Sequence, residues 1–362
     1  MVYCAYVGSF TSENKEKNRC AAGEGIHCFH VSKDLRQWAA FQMVQEYNPA
    51  FLQLSRGRKL LYAGNSASEV PVGGIVAYYI DSHSGKLEKA PHQLDLGRPI
   101  CCFCERPQGD YMVAADFKGG LYVIQLNEDG TLDRVVSTLQ LEGKLSPLSH
   151  IKCSRPHHVL FDASGDHLLV ADKGLDLVFV FAFDVAEGKL RETCRAAVRP
   201  ASCARHIAFH PDQKHVYVVA EYLCKIYVFD YDARQGTIQM KQVLSAERDT
   251  CLGECKSAEI QVHPNGKFLY VSNRGDDTIG VFRIDESSGM LTPVEWTQTL
   301  GEKPRYFGLD EAGANLFVGN QKSGTMAVFG IDEDSGRLTA KVADIPVDCP
   351  TWICLLKAEE DA

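Results

Sequence analysis

The 362-residue chain contains no apolar run near the roughly 18 residues that a membrane-crossing helix requires. Its first residues, MVYCAYVGSF, show no basic segment followed by a long apolar stretch, so a secretory signal is not expected and a cytoplasmic location is. Nor does a helix-period segment of convincing length appear, or a Pro/Ser-rich or charged linker that would divide residues 1–362 into more than one domain. Cation excess is missing too. Lys and Arg number 38 against 47 Asp and Glu, a net charge of −9, which argues against nucleic acid and anionic membranes as partners. An anionic substrate would have to be drawn in by local cations.

Paired CxxC motifs are also absent. The closest approaches to metal-ligand spacing are Cys101, Cys102 and Cys104, then Cys251 and Cys255, and neither has the form of a zinc site. Asp116, Asp172 and Glu221 do not assemble into a calcium set of oxygen ligands. No metal ion and no cofactor is therefore expected. Many of the 14 cysteines (Cys4, Cys101, Cys102, Cys104, Cys203, Cys354) fall inside strand-like runs, where a thiol packs as a small hydrophobe. All 14 are expected to be free thiols of a reducing compartment.

What the chain does have is a repeat. An Asp, a few turn residues, a Gly and an apolar residue recur as DSHSGKL from Asp81, DVAEGKL from Asp184, DARQGTI from Asp232, DESSGML from Asp285 and DEDSGRL from Asp332. NEDGTL from Asn127 is a shortened copy. Glycine supplies the positive φ of such turns and aspartate bonds their backbone. Before each turn lies a β-branched and aromatic run such as VFVFAFD or IYVFDYD. Before that comes a second run, such as LLVAD or LYVSN, and then a third that begins near a proline, such as RPHHVLF or PRYFGLD. Meanders of short strands at about 50-residue spacing are the blades of a β-propeller.

The opening VYCAYVGS matches the second run of the repeat and the ending PTWICLL matches the third. The expected fold is thus all-β, a single seven-bladed β-propeller closed by a C-terminal strand placed innermost in the N-terminal blade. The segments from about Glu142 to Ser154 and from Ser245 to Lys256 depart furthest from the repeat. Both precede innermost strands and should overhang one face of the ring, where function collects.

Alignment of the innermost strands on their proline or its replacement selects Ala50, Ile100, His157, Arg205, Glu259, Arg305 and Thr351 at the mouth of the central channel. The ends of the second strands add Asn65, Asp116, Asp172, Glu221, Asn273 with Arg274, and Asn320 with Gln321. Polar groups that converge on one rim make a small-molecule site. By contrast His158, His206, His210 and His263 read as structural.

With these motifs in hand the chain resembles the seven-bladed propeller lactonases, a family that includes a 6-phosphogluconolactonase and fungal carboxymuconate lactonizing enzymes. The resemblance runs through YVGSFTS, NPAFLQLS, RPHHVLFDASG, VADKGLD, ARHIAFHP, VVAEYLCKIYVFDYD, HPNGKFLYVSNRGDDTIGVF, PRYFGLDEAG and FVGNQKSG. It implies catalytic roles for His157, Arg205, Glu221 and Arg274. The chain departs from it at Arg155, where many relatives carry histidine, and at NSASE from Asn65, where a glutamate often follows the asparagine.

Opening a lactone needs a general base for water and donors for the oxyanion. Glu221 and His157 both qualify as the base, with Arg205 and Arg274 as the donors. Arg305, Asn273, Asp116, Lys173 and Asn320 are expected to bind substrate; Arg305, Lys173 or Lys118 would carry a phosphate. The expected function is hydrolysis of a small anionic lactone such as 6-phosphogluconolactone, without a metal, by a monomer or weak homo-oligomer. The alternatives are a carboxymuconate-type cycloisomerase and a non-catalytic binding propeller, although the WD and GH signatures of the latter class are absent.

Overall fold

Each of the short apolar runs forms one strand of an antiparallel sheet, and seven such sheets make up a computed structural model that describes residues 3–11, 23–65, 73–146, 148 and 150–357. The structure is a seven-bladed β-propeller. We number the blades from the one that contains Tyr3–Ser9. From blade 2 to blade 7 the innermost strands are Pro49–Leu54, Ile100–Glu105, Pro156–Phe161, Ala204–Phe209, Lys256–Val262 and Pro304–Leu309. The outer edge of blade 2 is broken: Leu87–Lys89 and Leu94–Asp95 both pair with Gly74–Ile80. Among the described residues there is no helix long and apolar enough to cross a membrane.

The second strand of each blade is buried on both faces, which explains its continuous apolar sequence: LLYAGN, HLLVAD, HVYVVA and FLYVSNR are buried almost throughout. The fourth strands, such as Lys189–Ala197, are largely exposed and polar. Neighbouring blades are bolted by buried tyrosines that donate to the turn glycine of the next blade. Tyr6 reaches the Gly85 carbonyl at 2.8 Å, Tyr62 that of Gly130 at 2.6 Å, Tyr217 that of Gly289 at 3.0 Å and Tyr270 that of Gly336 at 2.9 Å. These turn glycines hold positive φ, Gly85 at 70° and Gly289 at 68°, and a Cβ at Gly289 would strike the His215 ring.

Closure follows the expectation. Pro350–Lys357 pairs antiparallel with Tyr3–Ser9 and becomes the innermost strand of blade 1. Trp352 of that strand fills the axis, packed on Tyr306 at 4.0 Å and Phe51 at 4.1 Å between ring centroids. Among the described residues twelve cysteines are free thiols. The expectation of 14 free thiols fails at Cys349, which is disulfide-bonded. Cys349 is not a strand thiol. It lies in the turn before the closing strand, wholly buried, where its carbonyl accepts from Phe10 N at 3.2 Å.

Deleting residues from Pro350 onward removes both the closing ladder and the axial Trp352. The truncated chain should lose its cooperative unfolding transition rather than melt a few degrees lower. Circular dichroism melts decide this, and a transition like that of the full chain would contradict the closure.

Candidate active site

Every innermost strand carries a register irregularity at the same level. In blade 4, Pro156 faces Asp172 while His158 faces Ala171, so His157 has no partner; Arg205 in blade 5, Arg305 in blade 7 and Ala50 in blade 2 lie in the same break. A bulge of this kind re-aims one side chain, here toward the channel mouth. The register corrects the sequence alignment at two places. In blade 3 the residue in the break is Cys101, because Ile100 itself pairs with Asp116. In blade 6, Ser257 takes the place of the proline opposite Asn273, which puts Ala258 at the mouth and Glu259 one level deeper.

A second set of side chains comes from the turn that follows each second strand. In blades 3, 4, 6 and 7 a short polar residue at the end of the second strand is a cap that bonds locally, whereas Ala220 stands there in blade 5. Asp172 accepts from Ser154 Oγ and from the backbone N–H groups of Arg155, Gly174 and Leu175. Asp116 does the same for Lys118 N, Gly120 N and the Tyr122 hydroxyl, at 2.6, 3.0 and 2.8 Å. Asn273 donates to Ala246 O and accepts from Ser257 Oγ, and Asn320 donates to Thr299 O. Asp116, Asn273 and Asn320, expected to bind substrate, therefore hold turns and do not line the cavity. The residue after the cap does: Phe117, Lys173, Glu221, Arg274 and Gln321 all face it.

The cavity has a volume of about 700 Å³. It gathers His157, Arg205, Glu221, Arg274, Lys173 and Arg305 from the sequence-derived set. Both overhanging segments contribute, Ile151 from one and Glu254 with Lys256 from the other. The sequence reading did not single out Lys256, Lys303 or Tyr222. Lys256 ends a segment already marked as an overhang, and Lys303 directly precedes Pro304; Tyr222 follows Glu221 and lies under Lys173 and Lys256, whose Nζ atoms are 5.9 and 5.1 Å from its ring centroid. Arg155 lies 4.9 Å from the Phe117 ring.

Glu221 organises the cations. Its Oε2 meets Lys173 Nζ at hydrogen-bond distance and Arg205 Nε at 3.4 Å, and its Oε1 meets Arg274 Nη2 at 3.1 Å. Burial alone would raise the Glu221 carboxyl, but Lys173, Arg274 and Arg205 together outweigh it and hold the group well below the usual carboxylate range. Arg274 is further fixed by bonds to the Lys256 and Ser257 carbonyls at 3.1 and 3.0 Å, and Arg205 by the Ala258 carbonyl. His157 is 8% exposed. Burial, then Arg205, Lys173, Arg305 and Arg155, push its pKa well below the ordinary imidazole value, so it is neutral. Its Nδ1 has no hydrogen-bond partner among the described residues.

Eight cationic side chains line the cavity against four anionic ones, on a chain whose net charge is −9. The profile of the family described as lactonase, seven-bladed β-propeller, matches residues 4–355. The chain belongs to that family. A 6-phosphogluconolactonase of Bacillus subtilis (strain 168) is 29% identical over 310 residues, 85% of each chain. Another 6-phosphogluconolactonase, of Formosa agariphila, is 28% identical over 318 residues, 85% of this chain and 86% of that one. The periplasmic gluconolactonase PpgL of Pseudomonas aeruginosa superposes with a TM-score of 0.88 over 99% of this chain and 100% of that one, at 23% identity, a likeness of fold.

Beneath the cavity the lactonase is plugged. The ring one level below the bulge residues holds Phe51, Cys102, His158, His206, Glu259, Tyr306 and Trp352. His206 stacks on His158 at 4.7 Å and contacts Glu259 Oε2 through Nδ1 at 3.1 Å. Burial raises the Glu259 carboxyl to about 8, against the opposing pull of Arg205, and burial keeps the His206 imidazole neutral. The contact is thus a neutral acid donating to a neutral ring.

That protonation state has a signed consequence. Between the ordinary carboxylate value and about 8 the folded chain keeps a proton on Glu259 that the unfolded chain releases, so Glu259 costs stability progressively as pH rises through this window. Glu259→Gln keeps the donor and removes the titration. Its stability relative to wild type should rise between pH 5 and pH 8, by at most about 1.4 kcal/mol per pH unit. Urea unfolding at the two pH values measures it; an equal loss at both would mean that Glu259 is ionised in the fold.

Proposed function

We propose that the cavity binds an anionic sugar lactone of the 6-phosphogluconolactone class and hydrolyses it. The observation that carries this reading is the excess of cationic side chains around a single buried carboxylate. The names of the Bacillus subtilis and Formosa agariphila relatives support the same substrate class. A neutral sugar would not repay the assembly of eight cationic groups at one mouth; a phosphate or carboxylate would.

In the proposed reaction a water oxygen attacks the lactone carbonyl and passes a proton to His157. Glu221 is the poorer base, because both of its oxygens are held by cations. The oxyanion forms against Arg205 and Arg274. Neither guanidinium spends all five of its N–H groups on Glu221 and the backbone carbonyls. When the ring C–O bond breaks, His157 returns the proton to the departing alkoxide, and the new carboxylic acid ionises in solvent. Glu221 keeps the cations gathered and oriented. Lys173, Arg305, Lys256 and Lys303 hold the phosphate.

A pH-stat assay on phosphorylated and plain gluconolactone tests the assignment. Arg274→Ala should slow ring opening by roughly 10²-fold or more, the scale of losing one oxyanion donor. His157→Asn should abolish turnover while the variant still binds the ring-opened acid, and the phosphorylated lactone should show the higher kcat/KM. Because the working form of His157 is neutral and its pKa is depressed, the rate should stay level through neutral pH and fall only well below the ordinary imidazole range. Wild-type rates in both variants would remove the reaction from this cavity.

A further inference from the structure

Outside the cavity the fold brings together two thiols and a carboxylate that the sequence spacing did not connect. Cys224 ends the turn that begins with Glu221, between the second and third strands of blade 5. Glu247 and Cys255 stand near either end of the segment that overhangs the ring before blade 6. Cys224 Sγ, Cys255 Sγ and a Glu247 carboxylate oxygen lie within 4.8 Å of one another, the one such cluster of His, Cys, Asp and Glu among the described residues.

The surroundings hold these groups in place. Ala246, next to Glu247, donates to the Cys224 carbonyl at 2.7 Å, and its own carbonyl accepts from Asn273 Nδ2 and Trp296 Nε1, both at 2.8 Å. Cys255 adjoins Lys256, which is paired in register with Arg274. Both thiols are buried, Cys224 to 1% and Cys255 to 7% exposure, and neither is in a disulfide. Glu247 has no cationic partner among the described residues, so a half-buried carboxylate faces two thiols without a counter-charge.

We propose that Cys224, Cys255 and Glu247 form a binding site for a thiophilic divalent cation, zinc in the first instance, which staples the overhanging segment to the turn that carries Glu221. Thiolate sulfur selects zinc over magnesium or calcium, and tetrahedral bonds of about 2.3 Å to sulfur and 2.1 Å to oxygen put ligand atoms roughly 3.5–3.8 Å apart. The three side chains need draw in by about 1 Å or less to meet it. Both thiols release their protons to solvent, and water takes the fourth position. Cys224, Cys255 and Glu247 do not line the cavity, so the ion acts on position alone: it fixes Lys256 and, through the Lys256 and Ser257 carbonyls, the Arg274 guanidinium.

The test uses the full chain, reduced, loaded with excess zinc sulfate and passed through gel filtration with a weak chelator. Elemental analysis should then find one zinc per chain, and cobalt in its place should give the intense visible bands of a tetrahedral thiolate site. Cys224→Ser and Cys255→Ser should each lose the ion, whereas Cys153→Ser, at an exposed thiol, should keep it. Glu247→Gln alters a half-buried side chain, leaves both thiols intact and should weaken zinc retention by ten-fold or more. Zinc retained equally by wild type and Glu247→Gln, no retention by wild type, or a Cys224–Cys255 disulfide in protein isolated under reductant would each overturn the proposal.

Discussion

The arrangement of the mouth depends on one buried carboxylate. Lys173, Arg205 and Arg274 come from three neighbouring blades and point at one spot, where like charges about 4 Å apart repel by about 4 kcal/mol at an effective dielectric constant of 20. Glu221 stands between them and contacts all three. Its charge makes the cluster tolerable in the fold, and the same contacts leave it a weak base. The carboxylate therefore belongs to the architecture of the site, and the proton chemistry falls to His157, which is kept neutral by its burial first and then by Arg205 and Lys173 of the same cluster.

The propeller supplies the geometry in two steps. A register break in each innermost strand turns one side chain toward the mouth, and in blades 3 to 7 the residue after the cap position of the second strand lines the cavity from the rim. The caps themselves, Asp116, Asp172, Asn273 and Asn320, are tied to their own and neighbouring turns by hydrogen bonds to backbone N–H and C=O groups. Blades 3 to 7 thus each offer two variable positions on a fixed frame. Blades 4 to 7 place charged or hydrogen-bonding groups at one or both, whereas blade 3 offers Cys101 and Phe117. The asymmetry of the cavity follows from that division.

Much of this was legible in the sequence. The innermost-strand runs, counted with the closing one, number seven, the match of PTWICLL to their pattern predicts the closure, and the alignment on proline brings out His157, Arg205 and Arg305. It misplaced Ile100 for Cys101 and Glu259 for Ala258 because a one-residue register shift leaves no mark where the proline is displaced, after Pro99, or replaced, by Ser257. Asp and Asn look alike in a sequence whether they face a ligand or their own turn, so the expectation of substrate contacts at Asp116, Asn273 and Asn320 has no way to separate the two. Lys256 opens an innermost strand opposite Arg274 and Lys303 lies in the loop before Pro304, and the direction of both is set by three-dimensional packing. Cys224 and Cys255 meet because the overhanging segment folds back onto the preceding blade, and no spacing rule anticipates that.

The most direct test of the account is a crystal structure of the chain with the ring-opened phosphorylated acid, the product of the proposed reaction. The account predicts the new carboxylate against Arg205 or Arg274 and within reach of His157, with the phosphate toward Lys256 and Lys303. Product bound instead at the opposite end of the channel, in the apolar hollow lined by Phe103, Leu160 and Cys354, would contradict it.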